Sequence, residues 1–411
     1  MNESTLKSLP DLARRFGTPL WVYEAPVILE RIQQLRAFDV TRFAQKACSN
    51  IHILKLMRSQ GVVVDAVSLG EIERAVLAGY SPKGSPAGVV FTADLFDAPT
   101  LARVVELDIE VNAGSIDMLE QLGKAKPGHR VWLRINPGFG HGHSHKTNTG
   151  GENSKHGIWH EDLAKALSVI DEHRLKLVGL HMHIGSGADY GHLKQVAGAM
   201  VDLVKRAGRD IEAISAGGGL SIPYREDQER IDTAHYFGLW DAARKEVEAQ
   251  LGHPVRLEIE PGRFLVAESG SLVAEVRAVK DMGKNHFALV DAGFNDLMRP
   301  AMYGSHHRIS VIAADGRALG AVRPTVVAGP LCESGDVFTQ HEGGIVAPRD
   351  LPEARVGDYL VLHDAGAYGA AMSSNYNTRP LLPEVLIGQG APQLIRRRQT
   401  LAELLALETS L

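Results

Sequence analysis

Several residues in this 411-residue sequence have types and spacings that could support chemistry on a small molecule. Lys46 supplies a primary amine, which can form a Schiff base with an aldehyde if its ammonium group loses a proton. Three consecutive glycines at residues 217–219 allow positive φ angles and let backbone N–H groups approach a phosphate closely. A lysine that extends to the surface and a flexible glycine loop are the structural alternatives. The two features indicate a candidate nucleophile and a candidate phosphate site.

A second group of candidates is acidic. Glu258 and Glu260 alternate along one predicted strand and therefore face the same side, and Pro261 ends the ladder. A carboxylate inside a protein needs a cationic partner, because an isolated buried charge is very costly. Either a protonated pyridine nitrogen of a ligand or the nearby Arg263 would satisfy Glu260.

Cysteine and histidine residues add two further candidates. Cys332 lies among polar residues in the segment CESGD, which favours partial exposure, although a free cysteine is more often a small buried hydrophobe. His141, His143 and His145 alternate in a glycine-rich loop and resemble a metal tract. No carboxylate or cysteine accompanies them at ligand spacing, so we predict no metal site.

The elements that must position these residues follow from the pattern of the first two-thirds of the chain, where short apolar runs alternate with amphipathic segments. Predicted strands cover residues 42–46, 62–66, 88–91, 109–112, 131–136, 177–183, 211–215 and 255–260. Predicted helices cover residues 51–60, 69–78, 98–106, 116–124, 161–172, 193–207 and 236–251, with Ser68 and Ser115 as N-caps. This α/β alternation is the signature of a (β/α)₈ barrel, although a doubly wound open sheet would give the same pattern.

The rhythm changes after Gly262. Predicted strands at residues 264–276, 286–291, 324–328, 358–363 and 384–387 follow one another with little helix between them. We therefore expect a barrel over residues 26–262 and a second, mostly β domain over residues 263–411. A strand-like segment at residues 19–23 precedes the barrel and could join it; we assign residues 1–25 to an N-terminal strand and linker that pack with the β domain.

In a barrel, functional residues gather at the carboxyl ends of the strands. The predicted strand ends carry, in order, Lys46, Asp65, Asn112, Arg134, His183, residues 217–219 and Glu260. We expect branched apolar side chains to fill the rest of the barrel interior, so this concentration of polar groups at one end indicates an active site.

Composition narrows the class of protein. Hydrophobic residues make up 44% of the chain and charged residues 23%, values that exclude disorder. The formal net charge of −5 argues against non-specific binding of nucleic acid. The two cysteines, Cys48 and Cys332, lie far apart and fit a reducing compartment. No stretch has the length of a membrane span or the apolar core of a signal peptide, so we expect a cytoplasmic protein with no membrane partner.

Seven short motifs occur in one order: KACSN at Lys46, HMHIGS at His181, AGGG at Ala216, EPGR at Glu260, RPAMY at Arg299, CESGD at Cys332 and GAYG at Gly366. This set resembles the fold-type III pyridoxal-phosphate decarboxylases, over nearly the whole chain. The RPAMY segment is most similar to the diaminopimelate branch of that family. One departure is Cys48, where many relatives carry Asn.

The resemblance implies a set of cofactor contacts. Lys46 would carry pyridoxal 5'-phosphate in covalent linkage, and Ser186 with the backbone near Gly218 and Gly219 would bind the phosphate. His183 would stack on one face of the cofactor ring. Further contacts would come from Glu260, Pro261, Gly262, Arg263 and Tyr368.

The resemblance also implies the residues that act on the substrate. Cys332 would be the acid that protonates the product carbon, and it would reach the site of the partner subunit in a homodimer. The residues surrounding the substrate would be Arg263, Arg299, Tyr303, Glu333 and Tyr368. Together with Lys46 and His183, Glu260 would complete the catalytic group by pairing with the ring nitrogen.

The expected reaction is decarboxylation of meso-2,6-diaminopimelate to L-lysine. A carboxylate at Glu260 favours the protonated ring nitrogen that decarboxylation needs, whereas a racemase would place a cation there. Arg299 or Arg263 would bind the distal carboxylate of the substrate, and Glu333 its ammonium group. The alternatives are a decarboxylase of ornithine, arginine or carboxynorspermidine, and an inactive binding homologue, against which Lys46 and Cys332 argue.

Overall fold

The computed structural model describes residues 3–140, 150–183 and 190–408. Its contacts divide the chain into two compact units. The first, which we call the barrel unit, comprises residues 29–221 and 229–264. The second, the β unit, comprises residues 1–28, 222–228 and 265–411, and so takes in one short segment from the middle of the barrel sequence.

The strands and helices are numbered here in chain order. The strands are β1 (Leu20–Glu24), β2 (Val40–Ala44), β3 (Val63–Ala66), β4 (Val89–Ala93), β5 (Glu110–Ala113), β6 (Arg130–Asn136), β7 (Ile158–Trp159), β8 (Lys176–His181), β9 (Ala213–Ser215), β10 (Arg256–Ile259), β11 (Gly270–Met282), β12 (Asn285–Val290), β13 (Ile309–Ile312), β14 (Val322–Ala328), β15 (Gln340–His341), β16 (Ile345–Val346), β17 (Arg349–Pro352), β18 (Tyr359–Leu362), β19 (Glu384–Ile387) and β20 (Gln393–Arg396). The helices are α1 (Glu3–Phe16), α2 (Ala25–Gln33), α3 (Ile51–Ser59), α4 (Leu69–Leu77), α5 (Ala98–Leu107), α6 (Ile116–Ala125), α7 (Leu163–Glu172), α8 (Tyr190–Ala207), α9 (Thr233–Leu251), α10 (Arg263–Val266), α11 (Arg299–Tyr303) and α12 (Leu401–Leu405).

Within the described residues of the barrel unit, eight parallel strands close into a barrel. The neighbours pair in the order β2, β3, β4, β5, β6, β8, β9 and β10, and β10 pairs again with β2. This last pairing, in which Glu258 lies opposite Val40, excludes the open-sheet alternative. The prediction of a (β/α)₈ barrel with a separate, mostly β part is confirmed.

Local sequence signals set the starts of the helices that follow the strands. The Ser68 hydroxyl accepts a hydrogen bond from the Glu71 backbone N–H, and the Ser115 hydroxyl accepts one from Met118, both at 3.2 Å. Each cap satisfies an N–H group that has no partner within its helix, which stabilises the helix by about 1 kcal/mol. The predicted caps are therefore confirmed.

The barrel interior contains a buried ion pair that the sequence analysis did not predict. Arg42 and Glu258 are each 1% exposed, and Arg42 Nη2 lies 2.9 Å from Glu258 Oε2. Arg42 also donates to the carbonyl oxygens of Val64 and Ala87. Removing one partner would leave a buried charge, at a cost of about 3–5 kcal/mol. The expectation that branched apolar side chains fill this part of the interior is wrong.

The β unit is built on a mixed sheet. Its main path runs β17, β14, β12, β11, β1, β19 and β20, and β18 pairs with both β11 and β13. The strand β1 pairs antiparallel with β11 and parallel with β19, so the first strand of the chain belongs to this sheet and not to the barrel. Helix α1 packs on one face of the sheet through a buried apolar cluster that includes Leu9, Leu12, Val22, Val273 and Val385.

One predicted strand, at residues 264–276, is wrong over its first half. Helix α10 occupies Arg263–Val266, a short 3₁₀ turn follows at Ala267–Ser269, and β11 begins at Gly270. The side chains from Phe264 to Ala267 are all buried, and an apolar run that is buried on every side has no periodicity to distinguish helix from strand. Ser269 Oγ donates to the Val266 carbonyl and closes the turn.

Across the described ranges of the chain, every helix is too short or too polar to cross a membrane.

Candidate active site

The carboxyl ends of the barrel strands carry buried polar side chains. Asp65 lies near the end of β3, Asn112 near the end of β5, Arg134 near the end of β6, and Glu260 directly after β10. Because the strands of a closed parallel barrel all end at the same face, these groups surround one mouth. The structure places them where the strand pattern predicted.

Lys46 lies just beyond strand β2 and not within it. The strand ends at Ala44, whose backbone N–H donates to the Pro261 carbonyl at 3.1 Å, and Lys46 follows in a short 3₁₀ turn. The residues on either side of Lys46 are buried, but its own side chain is exposed. The amine is therefore accessible to an incoming aldehyde.

Glu260 is held in its ionised form by a neighbouring imidazole. Burial by itself would raise its pKa, but the His181 ring, whose Nε2 lies 2.7 Å from Glu260 Oε2, and the charge of Arg42 together lower the pKa of Glu260 to about 2. At neutral pH this buried group is a carboxylate. The sequence analysis left a ligand nitrogen and Arg263 open as partners of Glu260; the structure adds His181, which neither alternative included.

The glycine run packs closely between two neighbouring strand ends. Gly217 has a φ of +60°, and a Cβ there would lie 2.1 Å from the Met182 carbonyl oxygen. A Cβ at Gly218 would lie 2.7 Å from the Glu260 carbonyl oxygen. A side chain at either position would collide with these carbonyl oxygens, so both residues must be glycine, the residue type that also lets backbone N–H groups approach a phosphate.

His183 is a neutral imidazole anchored by this glycine segment. The Gly218 backbone N–H donates to His183 Nδ1 at 3.1 Å, so that nitrogen carries a lone pair. Burial, with the nearby positive charges of Arg134 and Lys46, lowers the pKa of His183 well below its ordinary value. A neutral ring held at one nitrogen can present a flat face to an aromatic ligand.

Several polar atoms at the barrel mouth have no hydrogen-bond partner in the described part of the chain. They are Asp65 Oδ1, Asn112 Oδ1, His181 Nδ1 and both amide atoms of Gln45. Burial, reinforced by the negative charge of Glu260, also raises the pKa of Asp65 well above its usual range. Because buried polar atoms without partners are costly, this cluster indicates that a polar ligand belongs here.

The residues at the mouth fit pyridoxal phosphate by the chemistry of their donor set. Lys46 offers the primary amine that the aldehyde requires, the glycine run at residues 217–219 offers the close backbone approach that a phosphate requires, and the ionised Glu260 offers a partner for the ring nitrogen. Ser186, the predicted hydroxyl contact, and the histidines at positions 141, 143 and 145 lie outside the described residues.

Three predicted contacts lie at the end of the barrel unit. Pro261 and Gly262 are buried and connect Glu260 to helix α10, whose first residue is Arg263. The Pro261 carbonyl ties this segment to the chain just before Lys46. Because these three residues directly follow Glu260, they remain candidate cofactor contacts.

Within the β unit, a network of side chains holds the predicted substrate contact Arg299. Its Nη1 donates to the Tyr224 hydroxyl and to His307 Nε2, each at 3.1 Å, and its guanidinium carbon lies 4.9 Å from the centre of the Tyr224 ring. His307 Nδ1 in turn donates to the His363 carbonyl. The buried arginine is thus fixed in one orientation, which suits recognition of a carboxylate.

The other predicted contacts of the β unit lie on separate segments. Tyr303 ends helix α11, four residues after Arg299. Cys332 and Glu333 form the exposed tip of a turn. Tyr368 has a φ of +58°, a left-handed conformation that is rare for a bulky residue and that marks the segment as specially constrained.

Three residues that shape these sites were not predicted as such. His181 was quoted in the HMHIGS motif without a role, and Tyr224 and His307 were not considered. A second inward-facing residue two positions before His183 was a usable signal for His181, since alternate residues of a strand share a face. Nothing in the local sequence connects Tyr224 or His307 to Arg299, because their contacts are made by the tertiary fold.

Comparison with known proteins defines the class first. The family model described as "Pyridoxal-dependent decarboxylase, pyridoxal binding domain" matches residues 28–267, which contain the whole barrel. The chain therefore has the fold and the domain of a pyridoxal-phosphate-dependent decarboxylase.

Individual relatives narrow the family. The chain is 68% identical to diaminopimelate decarboxylase of Escherichia coli strain K12 over 406 residues, 98% of this chain and 97% of that protein. A crystal structure of a diaminopimelate decarboxylase is similar with a TM-score of 0.96 and 68% identity, over 98% of this chain and 96% of that one. The M. jannaschii diaminopimelate decarboxylase in co-complex with L-lysine is similar with a TM-score of 0.87 and 31% identity, over 98% of this chain and 94% of that one. The chain belongs to the diaminopimelate decarboxylase family.

Proposed function

We propose that this enzyme decarboxylates meso-2,6-diaminopimelate to L-lysine and CO₂, with Lys46, Glu260 and His183 acting at the barrel mouth and Cys332 supplying a proton. The observation that carries the proposal is the buried, ionised Glu260 beside the glycine run. When bound there, pyridoxal phosphate supplies an electron sink for the bond that breaks. The relatives that share two-thirds of the sequence are named for the same reaction.

The barrel residues hold the cofactor and set its protonation. Lys46 Nζ would bind the aldehyde carbon, and the backbone around Gly218 and Gly219 would bind the phosphate. Glu260, kept anionic by His181, favours a proton on the ring nitrogen, because a nearby opposite charge stabilises the charged form. His183, neutral and fixed by the Gly218 N–H, would stack on the ring without competing for that proton.

The substrate would be recognised by the two charged groups at its non-reacting end. Diaminopimelate carries an ammonium and a carboxylate at the end that does not react, and Arg299 provides a fixed guanidinium for that carboxylate. Glu333 would take the distal ammonium, and Arg263, Tyr303 and Tyr368 would complete the contacts. Ornithine, arginine and lysine lack the distal carboxylate and would leave the guanidinium unpaired.

Cys332 would complete the reaction. The bond between the reacting carbon and its carboxylate breaks, CO₂ leaves, and the electron pair left on that carbon takes a proton from Cys332 Sγ. The thiol is exposed on a turn of the β unit, as a group that acts in another subunit's site would be. We therefore assign a homodimer in which Lys46 of one chain works with Cys332 of the other, and a cytoplasmic location, in keeping with the two free cysteines.

The test is an assay of CO₂ release from meso-diaminopimelate, ornithine, arginine and lysine at equal concentrations. The proposal predicts turnover of the first alone, with a kcat/KM at least about 10³-fold higher than for the others, because an unpaired buried arginine discriminates strongly. Comparable turnover of ornithine or arginine would instead support a decarboxylase of a related basic amino acid. An absence of CO₂ release from all four, with bound cofactor confirmed by absorbance, would contradict the proposal.

A further inference from the structure

The turn that carries Cys332 has an exposed tip and a buried base. Cys332, Glu333 and Ser334 are exposed, whereas Leu331 and Asp336 on either side are buried. Inside the turn, the Glu333 N–H donates to the Leu331 carbonyl and the Asp336 N–H donates to the Glu333 carbonyl. The tip is therefore presented from a compact base, and the contacts of that base decide where the thiol lies.

The Asp336 side chain fastens the base to two different segments. Its Oδ1 accepts the Phe294 backbone N–H and its Oδ2 accepts the Leu331 backbone N–H, both at 2.7 Å. The Asp336 carbonyl also accepts the Gly329 N–H at 2.9 Å. The fit is close enough that a Cβ at Gly329 would lie 2.4 Å from Asp336 Oδ2. One carboxylate thus joins the segment before the turn to the segment that leads into helix α11.

A second residue holds the cysteine itself. Asn377 Oδ1 accepts the backbone N–H of Cys332 at 2.9 Å. Asn377 has a φ of +53°, a left-handed conformation that asparagine tolerates better than most residues. The neighbouring Tyr376 ring stacks on Phe294, with ring centres 5.5 Å apart, so the Asn377 segment and the Asp336 anchor share one support.

We propose that Asp336 and Asn377 are positioning residues that hold the Cys332 thiol for proton transfer. The inference rests on the proposed role of Cys332 as the acid. Proton transfer demands a donor within hydrogen-bond distance of the reacting carbon, and a misplacement of about 1 Å can lower the rate by about 10²-fold. An exposed turn cannot meet that demand through burial, so its two side-chain anchors supply the rigidity.

The first part of the test measures the anchor without reference to activity. Asn377→Gly keeps the left-handed backbone accessible but removes the acceptor, whereas Asn377→Asp keeps an acceptor oxygen. In the holoenzyme, we expect the peptide containing Cys332 to exchange its amide hydrogens at least about tenfold faster in Asn377→Gly than in the parent, because the Cys332 N–H loses its partner. Asn377→Asp should exchange within about threefold of the parent.

Asp336→Asn tests the other anchor. An amide has one acceptor oxygen, so its NH₂ group would face one of the two backbone N–H groups that the carboxylate now accepts. Asp358→Asn is the control for a buried aspartate of the β unit away from the turn, since Asp358 also accepts two backbone N–H groups, those of Ala314 and Arg355, in addition to its ion pair with Arg317. If Asp336→Asn does not fold, the Asn377 pair carries the test.

The second part measures proton delivery. With meso-diaminopimelate in D₂O, the parent should place one deuteron at the former carboxylate-bearing carbon in a single configuration. Asn377→Gly and Asp336→Asn should lower kcat by about 10- to 100-fold with KM changed less than about threefold, and should give a mixture of configurations. Asn377→Asp and Asp358→Asn should give one configuration.

The outcomes separate the anchor from the role of the thiol. If the Cys332 peptide of Asn377→Gly exchanged its amide hydrogens at the parent rate, Asn377 would not anchor the turn. If exchange were faster but kcat and the configuration of the deuterated carbon were unchanged, Asn377 would not position the thiol. A Cys332→Ala variant that keeps normal kcat and a single configuration would overturn the proposed acid, whatever the exchange data show. Faster exchange together with scrambled configuration supports the inference.

Discussion

The barrel mouth and the Cys332 turn hold reactive groups in opposite ways. At the mouth, Asp65 and Glu260 are buried on strand ends, and their positions are set by the hydrogen-bonded ladder of the barrel. In the turn, the thiol is exposed and its position is set by two side chains that bind backbone N–H groups. The first arrangement fixes geometry and charge together, whereas the second fixes geometry only.

This difference has a chemical consequence. Burial makes the charge of each mouth group depend on its neighbours, which is why the pKa of Asp65 lies well above its usual range while that of Glu260 is lowered to about 2. The Cys332 thiol is exposed in its own chain. In the proposed dimer, the surface that receives the turn would surround it.

Among substitutions at the barrel mouth, we expect the largest loss of activity at Lys46. Lys46→Ala should lack the visible absorption band of the bound cofactor, because the amine that binds the aldehyde is gone. Its kcat/KM should be at least about 10³-fold lower than that of the parent. Lys55→Ala, an exposed lysine on α3, is the matched control and should behave as the parent. Borohydride reduction followed by peptide mass spectrometry should place the cofactor on Lys46; labelling of a different lysine would refute the assignment.

A smaller loss is expected when the carboxylate is neutralised in place. Glu260→Gln keeps the shape of the side chain but removes the charge that favours a protonated ring nitrogen. It should retain much of the cofactor and lower kcat by about 10²-fold or more. Glu120→Gln on the surface of α6 serves as the control. A normal kcat with normal cofactor content would show that the buried charge is not used.

The smallest of these effects concerns the neighbour of Glu260. His181 helps to lower the pKa of Glu260 to about 2, so removing the ring should raise that pKa. The reaction needs Glu260 in its ionised form. As the solution is acidified, the activity of His181→Ala should therefore begin to fall at a higher pH than that of the parent. We expect the acidic limb of the kcat profile to move up by at least about one pH unit and the maximal kcat to fall about tenfold.

The matched control for this profile is His129→Gln. His129 is also a buried histidine of the barrel unit, but its Nε2 contacts the Ile109 carbonyl and its Nδ1 lies 3.5 Å from Asp108 Oδ1, so its ring interacts with groups other than Glu260. Its acidic limb should coincide with that of the parent. If the acidic limbs of the kcat profiles of His181→Ala and the parent coincided, the pKa of Glu260 would not depend on the His181 imidazole.

The sequence predicted the barrel better than the β unit for a physical reason. A repeated strand and helix alternation leaves a long periodic signal, and strand ends point to one face whatever the details of packing, so Asp65, Arg134 and Glu260 could be placed in advance. In the β unit, β19 matches its prediction, but β13, β17 and β20 were missed, because short strands that pair with distant segments carry little local signal.

In the candidate site, too, some residues could be proposed from the sequence and others could not. Residue type made Lys46 and the glycine run candidates, and the family resemblance gave them roles. The contacts of Glu260 with His181, and of Asn377 with Cys332, join residues 79 and 45 positions apart in sequence and are created by the fold. Sequence reasoning proposed the reactive groups, but it could not identify the residues that position them.

In the homodimer that we propose, the barrel mouth of one chain and the Cys332 turn of the other form one site, and mixing two inactive variants tests this arrangement most directly. Lys46→Ala and Cys332→Ala homodimers should each be nearly inactive. After they are unfolded together and reassembled, random pairing makes about half the dimers mixed, and each mixed dimer has one site with both residues intact. We expect about a quarter of the parent activity to be recovered. No recovery, with mixed dimers demonstrated by differential tagging, would contradict it.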